Sequence, residues 1–205
     1  MTAQGYTMVF LAGIFALVAL GPPLEGLAEE LFSAHMVQHM IFILIVSPLI
    51  AFSGALKGRV PKLLRSEFVV FVLHALALWA WHLPSLYDAA LESLPLHFVE
   101  HLSFVVTALL LWNVVLDGAV DRLRRVALVF GTTLQSGALG AVIALAGSLI
   151  YRAHAESAPA WNMTPLEDQQ LAGAIMWFPP GVLYLLVMLG LLAQALWASD
   201  ARERS

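Results

Sequence analysis

From Leu31 to Leu56 the chain runs without one Asp, Glu, Lys or Arg. A stretch of about 20 mostly apolar residues is long enough, as a helix, to cross the hydrocarbon core of a bilayer. Five further apolar runs follow the same pattern. Six spanning helices are therefore expected, at about 6–20, 28–52, 67–87, 95–116, 126–151 and 165–197. Only 12% of residues are charged and 60% are hydrophobic, whereas soluble domains carry about 25% charged residues. The expected fold is all-α: a polytopic membrane protein, one six-helix transmembrane bundle forming a single domain over 1–205.

Several boundaries have local chemistry behind them. Thr164-Pro165-Leu166-Glu167 offers a Thr cap, a Pro at the first helical position and a Glu at the third, the capping-box pattern. Pro95 opens the fourth span in a similar way. Pro179-Pro180 falls inside the sixth and should kink it. The fifth span carries Gly131, Ser136, Gly137, Gly140, Ala144, Gly147 and Ser148; small residues let helices approach closely, within one chain or in a homo-oligomer. The first run has no Lys or Arg before it and ends at Gly21-Pro22-Pro23, so it reads as a retained helix rather than a signal segment.

The basic residues set the orientation. Lys57, Arg59, Lys62 and Arg65 lie between spans two and three, and Arg122, Arg124 and Arg125 between four and five; Arg202 and Arg204 follow span six. With six spans all of these fall on one side, which the positive-inside rule makes cytoplasmic. Only Arg152 falls opposite. Both termini are then cytoplasmic, in a bacterial-type inner membrane. The net charge of −4 gives no reason to invoke nucleic acid. Cysteine is absent, which excludes disulfides and thiolate metal sites.

Six of the seven histidines fall within these spans. His35 and His39 form one i, i+4 pair, in SAHMVQHM, and His97 and His101 form another, in HFVEH. Residues so spaced share a helical face, with Cβ atoms about 5–6 Å apart. Two such imidazoles can hold one metal ion. With the second span starting at 28, His35 lies about 10 Å and His39 about 16 Å below the outer surface at 1.5 Å per residue. His82 lies within about 8 Å of the outer end of span three on the same reckoning. Gln38 lies on the face of the first pair, and Glu100 is beside His101. Met36 and Met40 form a neighbouring stripe of thioethers, which suit Cu(I). Asp168 lies near the outer start of the last span. A lone membrane His often serves only an interhelical hydrogen bond. His74 fits that role, and His154, in an outer loop, is expected to be solvated. Two i, i+4 pairs and His82 at similar depth are harder to read as packing alone, because intramembrane ionisable groups mark functional sites.

The pattern excludes some chemistries. HExxH is absent, so a zinc protease of that type is not expected. The HxxHH boxes of desaturase-like di-iron enzymes are missing as well. A bis-His haem would use only one member of each pair. A nitrogen-and-sulfur donor set near the outer face suits copper handling, with iron, zinc or haem left as alternatives; a membrane oxidoreductase using the same histidines is the rival reading. Imidazole binds metal when neutral, so affinity should fall as pH drops through about 6.5.

LFSAHMVQHM at 31–40, WAWHLPSLYDAAL at 79–91, HFVEHLSF at 97–104 and DQQLAGAIMW at 168–177 resemble the polytopic CtaG-type cytochrome c oxidase assembly factors. The resemblance extends over most of the chain. It implies a non-catalytic role in maturation of a haem–copper oxidase, with an oxidase subunit as partner and a periplasmic copper donor upstream. It marks His35, His39, His82, His97, His101 and Asp168 as characteristic polar positions. The expected metal ligands are His35, His39, His97 and His101, with His82 and Asp168 as further ligands or orienting groups and Met36 and Met40 assisting with Cu(I).

Overall fold

The computed structural model describes residues 2–203, with side chains through 194. The Arg202 side chain and Arg204, expected on the cytoplasmic side, lie outside that description. The described residues are mostly helical, with no strand among them. They form nine α-helices in order: α1 Ala3–Ala19, α2 Pro22–Glu30, α3 Phe32–Ile41, α4 Ser47–Phe52, α5 Glu67–Trp81, α6 Pro84–Glu92, α7 Leu94–Leu116, α8 Arg122–Ala144 and α9 Pro165–Glu203. A π-helical turn, Phe42–Val46, joins α3 to α4 without interruption. Four helices are long and apolar enough to cross a membrane: Phe32–Phe52, Leu94–Leu116, Arg122–Ala144 and Pro165–Gln194. The pairs α1–α2 and α5–α6, bent by 45° and 74°, raise the number to as many as six if each pair is one span.

Three expected boundaries are corrected. The second span starts at Phe32, not at 28, because Leu31 is extended (φ −130°, ψ 128°) and α2 ends before it. The third breaks at His82-Leu83 rather than running to 87. Pro84 disfavours helical backbone at the residue before it, and Leu83 accordingly lies at ψ 127°. The fifth ends at Ala144 rather than near 151, and residues 145–157 form an irregular segment that returns to the bundle. The expected capping box does form at the start of α9. Glu167 Oε2 accepts from Thr164 N at 2.7 Å, and Thr164 Oγ1 accepts from Glu167 N at 3.2 Å. The helix then continues through Pro179-Pro180.

Each interruption leaves backbone groups unpaired in an apolar interior, where an unsatisfied group costs about 1–3 kcal/mol. A distant side chain answers each one. Gln38 Nε2 donates to Ala19 O at the end of α1, at 2.8 Å. Asp168, on α9, accepts from Phe32 N at 2.8 Å and Ser33 N at 3.0 Å at the start of α3. Tyr151 Oη donates to His82 O at 2.6 Å. Beyond α8, Gln169 Oε1 accepts from Ile150 N and Tyr151 N, and Gln170 Nε2 donates to Ala146 O. The π turn is handled likewise. Pro48 has no N–H to offer the preceding turn; Ser47 Oγ donates to Phe42 O at 2.7 Å and Trp112 Nε1 to Ile43 O at 2.9 Å.

The small residues of α8 do what their spacing implies. A Cβ built on Gly173 of α9 would lie 2.2 Å from Ala144 N, and one on Gly140 would lie 3.0 Å from Gly173 O. α8 and α9 therefore cross backbone to backbone. α9 also packs on α3, and α7 packs on α4 and α5. The result is a core built around α3 and α7, including Phe32, Met36, Phe104, Leu111 and Trp112.

Candidate metal centre

α3 and α7 both begin at the end of the bundle that carries Glu25, Glu29 and Glu30. With α3 starting at Phe32, His35 and His39 lie about 5 and 10 Å along it at 1.5 Å per residue. His101 lies about 10 Å along α7 on the same basis. Here the two helices bring His35, His39, Glu100 and His101 together, all buried, with one ligand atom from each within 4.8 Å of the others. His35 Nε2 is 3.9 Å from Glu100 Oε2, and His39 Nε2 is 3.7 Å from Glu100 Oε1. These separations are too long for hydrogen bonds. They suit atoms that share an ion: two ligands each about 2.0–2.1 Å from one ion stand at most about 4.2 Å apart. In a tetrahedral set the ligands stand about 3.4 Å apart, so a set within 4.8 Å closes by at most about 1.4 Å.

Unpartnered buried atoms occur elsewhere too, on His74, His97 and His154 among others, but this set holds the densest group of them. Both ring nitrogens of His35, both of His39, both oxygens of Glu100 and Nε2 of His101 have no hydrogen-bond partner among the described residues. A native protein leaves few such atoms. Here they converge on one point, three imidazoles and one carboxylate deep. The rings also pack on one another, with centroids 4.5 Å apart for His35–His39 and 5.2 Å for His39–His101. Phe104 and Phe42 wall the group, 4.6 Å from His39 and 5.0 Å from His101 respectively. Such a donor set in an apolar shell can take a divalent first-row metal such as copper or zinc.

The other expected residues are placed as follows. His97 stacks on His35 at 5.2 Å and lies 4.3 Å from His101, outside the four-group set. With His35, Glu25 and Glu29 it lines a cavity of about 240 Å³ that reaches from the exposed Glu29 and Leu94 to the buried His35. His82 sits 6.0 Å from His39, ring to ring, with Nε2 3.4 Å from Met36 Sδ. Asp168 is drawn to the start of α3, where both its oxygens accept backbone N–H groups. Met40 is half-buried and packs against the core. Gln38 turns toward α1 and α2, donating to Ala19 O and to Glu25 Oε2. His74 bonds Thr107 of α7 at 3.0 Å, as an interhelical histidine would.

His154 is not solvated. The segment after α8 folds back over this end of the bundle and leaves the ring 4% exposed, with Nε2 2.7 Å from Tyr87 Oη. Burial pushes its imidazole below the ordinary value, while the charge of Asp168 pulls the other way. Ser157 Oγ and Trp161 Nε1 pin the same segment to the carbonyl and carboxylate of Glu30. Glu100 is the residue that the histidine spacing passes over. Its signal was a different one: it is the only acidic residue between Leu94 and Leu116, and a carboxylate inside a membrane helix is a functional candidate by default.

Neither the curated proteins nor the solved structures contain a match to the chain. A family model described as cytochrome c oxidase caa3 assembly factor matches residues 2–198, nearly the whole length. It therefore covers both the bundle and the histidine cluster, and the chain belongs to the cytochrome c oxidase caa3 assembly factor family.

Proposed function

We propose that this protein is a non-catalytic assembly factor of the bacterial inner membrane that binds a copper ion through His35, His39, His101 and Glu100 and delivers or retains it for the copper centre of a cytochrome c oxidase. The family supplies the process and the oxidase partner. The observation that carries the metal is the convergence of buried, unpartnered nitrogen and oxygen atoms. A bound cation satisfies all of them together, whereas an empty site bears their desolvation cost. One carboxylate against three neutral imidazoles leaves a divalent ion only partly neutralised, which favours holding the ion without burying it irreversibly.

In this reading both bent pairs are spans, giving six. The Lys and Arg residues of the 57–65 and 122–125 segments then face the cytoplasm, together with both termini. The acidic rim of Glu25, Glu29 and Glu30 faces the periplasm. The cavity lined by Glu25, Glu29, His97 and His35 is the path between the rim and the ions' site, and a periplasmic copper donor meets the protein there. His97 stands on that path as the half-exposed imidazole next to the buried three.

The test is elemental analysis of protein purified without a histidine tag, followed by copper titration. Stoichiometric copper that is lost in a His35→Ala, His101→Ala double variant is the expected result. Stoichiometric iron with a Soret band identifies a haem oxidoreductase instead and overturns the proposal. Unchanged metal content in the double variant does so too.

A further inference from the structure

Met36 and His82 face each other beside the histidine cluster, and their hydrogen-bonding capacities do not match. His82 closes α5, and its Nδ1 lies 2.6 Å from Leu78 O. A carbonyl only accepts, so Nδ1 carries the proton, and in the neutral ring Nε2 is a bare lone pair. That lone pair points at Met36 Sδ, 3.4 Å away. A thioether has no proton to give. Two acceptors thus face each other at van der Waals contact, with no donor between them, on side chains that are 5% and 0% exposed. Protonating the ring would turn the contact into a hydrogen bond only by placing a cation in the core, and no carboxylate lies within ion-pair distance of His82 among the described residues. The arrangement is also held firmly: Tyr151 fixes the His82 carbonyl at 2.6 Å, and Pro84 fixes the break behind it.

We infer that Met36 Sδ and His82 Nε2 form a separate soft-metal site, for Cu(I), next to the imidazole–carboxylate site. A cation is the group that two facing lone pairs can share. With metal–nitrogen and metal–sulfur bonds of about 2.05 and 2.3 Å, a 3.4 Å N···S separation closes a triangle with an angle of about 103° at the metal. That is near tetrahedral, so the N···S separation needs little change, and a tilt of the imidazole turns its lone pair from the sulfur to the ion. Thioether with imidazole selects Cu(I) over harder divalent ions. His39 neighbours both sites, its ring 6.0 Å from His82 and 4.5 Å from His35, and both its nitrogens are unpartnered. α3 would therefore present a soft site and a harder one on adjacent stripes, one for each oxidation state of the same metal. The inference rests on the copper reading for its choice of ion, not for its geometry.

The experiment is X-ray absorption at the copper edge on the full-length protein loaded with Cu(I), together with metal counting. Wild type should show a sulfur scatterer at bonding distance in addition to nitrogen. Met36→Leu, nearly isosteric and so tolerated by the core, should lose the sulfur signal and bind one copper fewer. Met188→Leu, at a core methionine of α9 outside both sites, should change neither. Copper held by nitrogen and oxygen alone in wild type overturns the soft site while leaving the proposed function standing, and that spectrum needs no variant. Sulfur that persists in Met36→Leu also overturns it. Wild type that binds no copper overturns both readings.

Discussion

Replacing Asp168 with Asn separates a helix cap from a metal ligand. In the structure the carboxylate is 1% exposed and accepts two backbone N–H groups at the start of α3, 2.8 and 3.0 Å away. Hydrogen bonds to a buried charge are worth about 1.5–3 kcal/mol each. Asn keeps one acceptor at neutral strength and turns an NH₂ donor toward the second N–H. One charge-assisted bond is lost and the other weakened, so the metal-free protein should lose about 2–4 kcal/mol. Ala removes both bonds and should cost about 3–6 kcal/mol. Denaturant unfolding in detergent, followed by far-UV circular dichroism with a chelator present, measures the loss. Copper stoichiometry at saturation should stay at the wild-type value, because the imidazoles and Glu100 remain. An Asp168→Asn protein as stable as wild type when metal-free, but short of one copper, would show that Asp168 ligates rather than caps.

Glu100→Leu removes two unpartnered buried oxygens; at about 1–3 kcal/mol each the metal-free protein should become more stable, while the stabilisation gained on adding copper disappears. Unfolding curves with and without copper should therefore move in opposite directions. Gly173→Ala puts a methyl group 2.2 Å from Ala144 N and should cost at least about 1–3 kcal/mol in the same assay, without changing copper stoichiometry. Glu25→Gln with Glu29→Gln should slow copper loading in stopped-flow measurements and flatten its dependence on salt, with stoichiometry intact; an unchanged rate would remove the cavity as the path.

The elements that local chemistry decides were legible in the sequence. Apolar length gave the long helices, and Thr164 with Glu167 gave the start of α9. The i, i+4 spacing put His35 beside His39 on one helix. The break at Leu31 was not legible because its signal sits on another helix: Leu31 has no turn chemistry of its own, and the N–H groups it frees are answered by Asp168, 136 residues from Phe32. The early end of α8 has the same cause, since Gln169 and Gln170 replace the missing helical bonds of residues 146–151. His154 looked solvated because a loop's burial depends on where it folds back, and its ties to Tyr87 and Glu30 are both long-range.

A polar residue in an apolar helix is therefore an ambiguous sign in sequence, and hydrogen-bond accounting resolves it. Gln38, Asp168, Gln169, Gln170, Tyr151 and Trp112 all spend their polar atoms on backbone left bare by a break or a π turn. They are the cost of building a bundle from interrupted helices. The interruptions in turn fix the site: the cap on α3 sets where His35 and His39 fall, and the tie from Tyr151 sets where His82 stands. Among the buried atoms that this accounting leaves without a partner, those of His35, His39, Glu100 and His101 are the ones that lie together as a candidate ligand set. Such atoms are costly to bury in a bilayer, and on the proposed reading a bound ion offsets that cost. The run at 168–170 and the histidines are equally conspicuous in the sequence, yet the first holds the fold, whereas the second, in the proposed function, is what the fold holds for an ion.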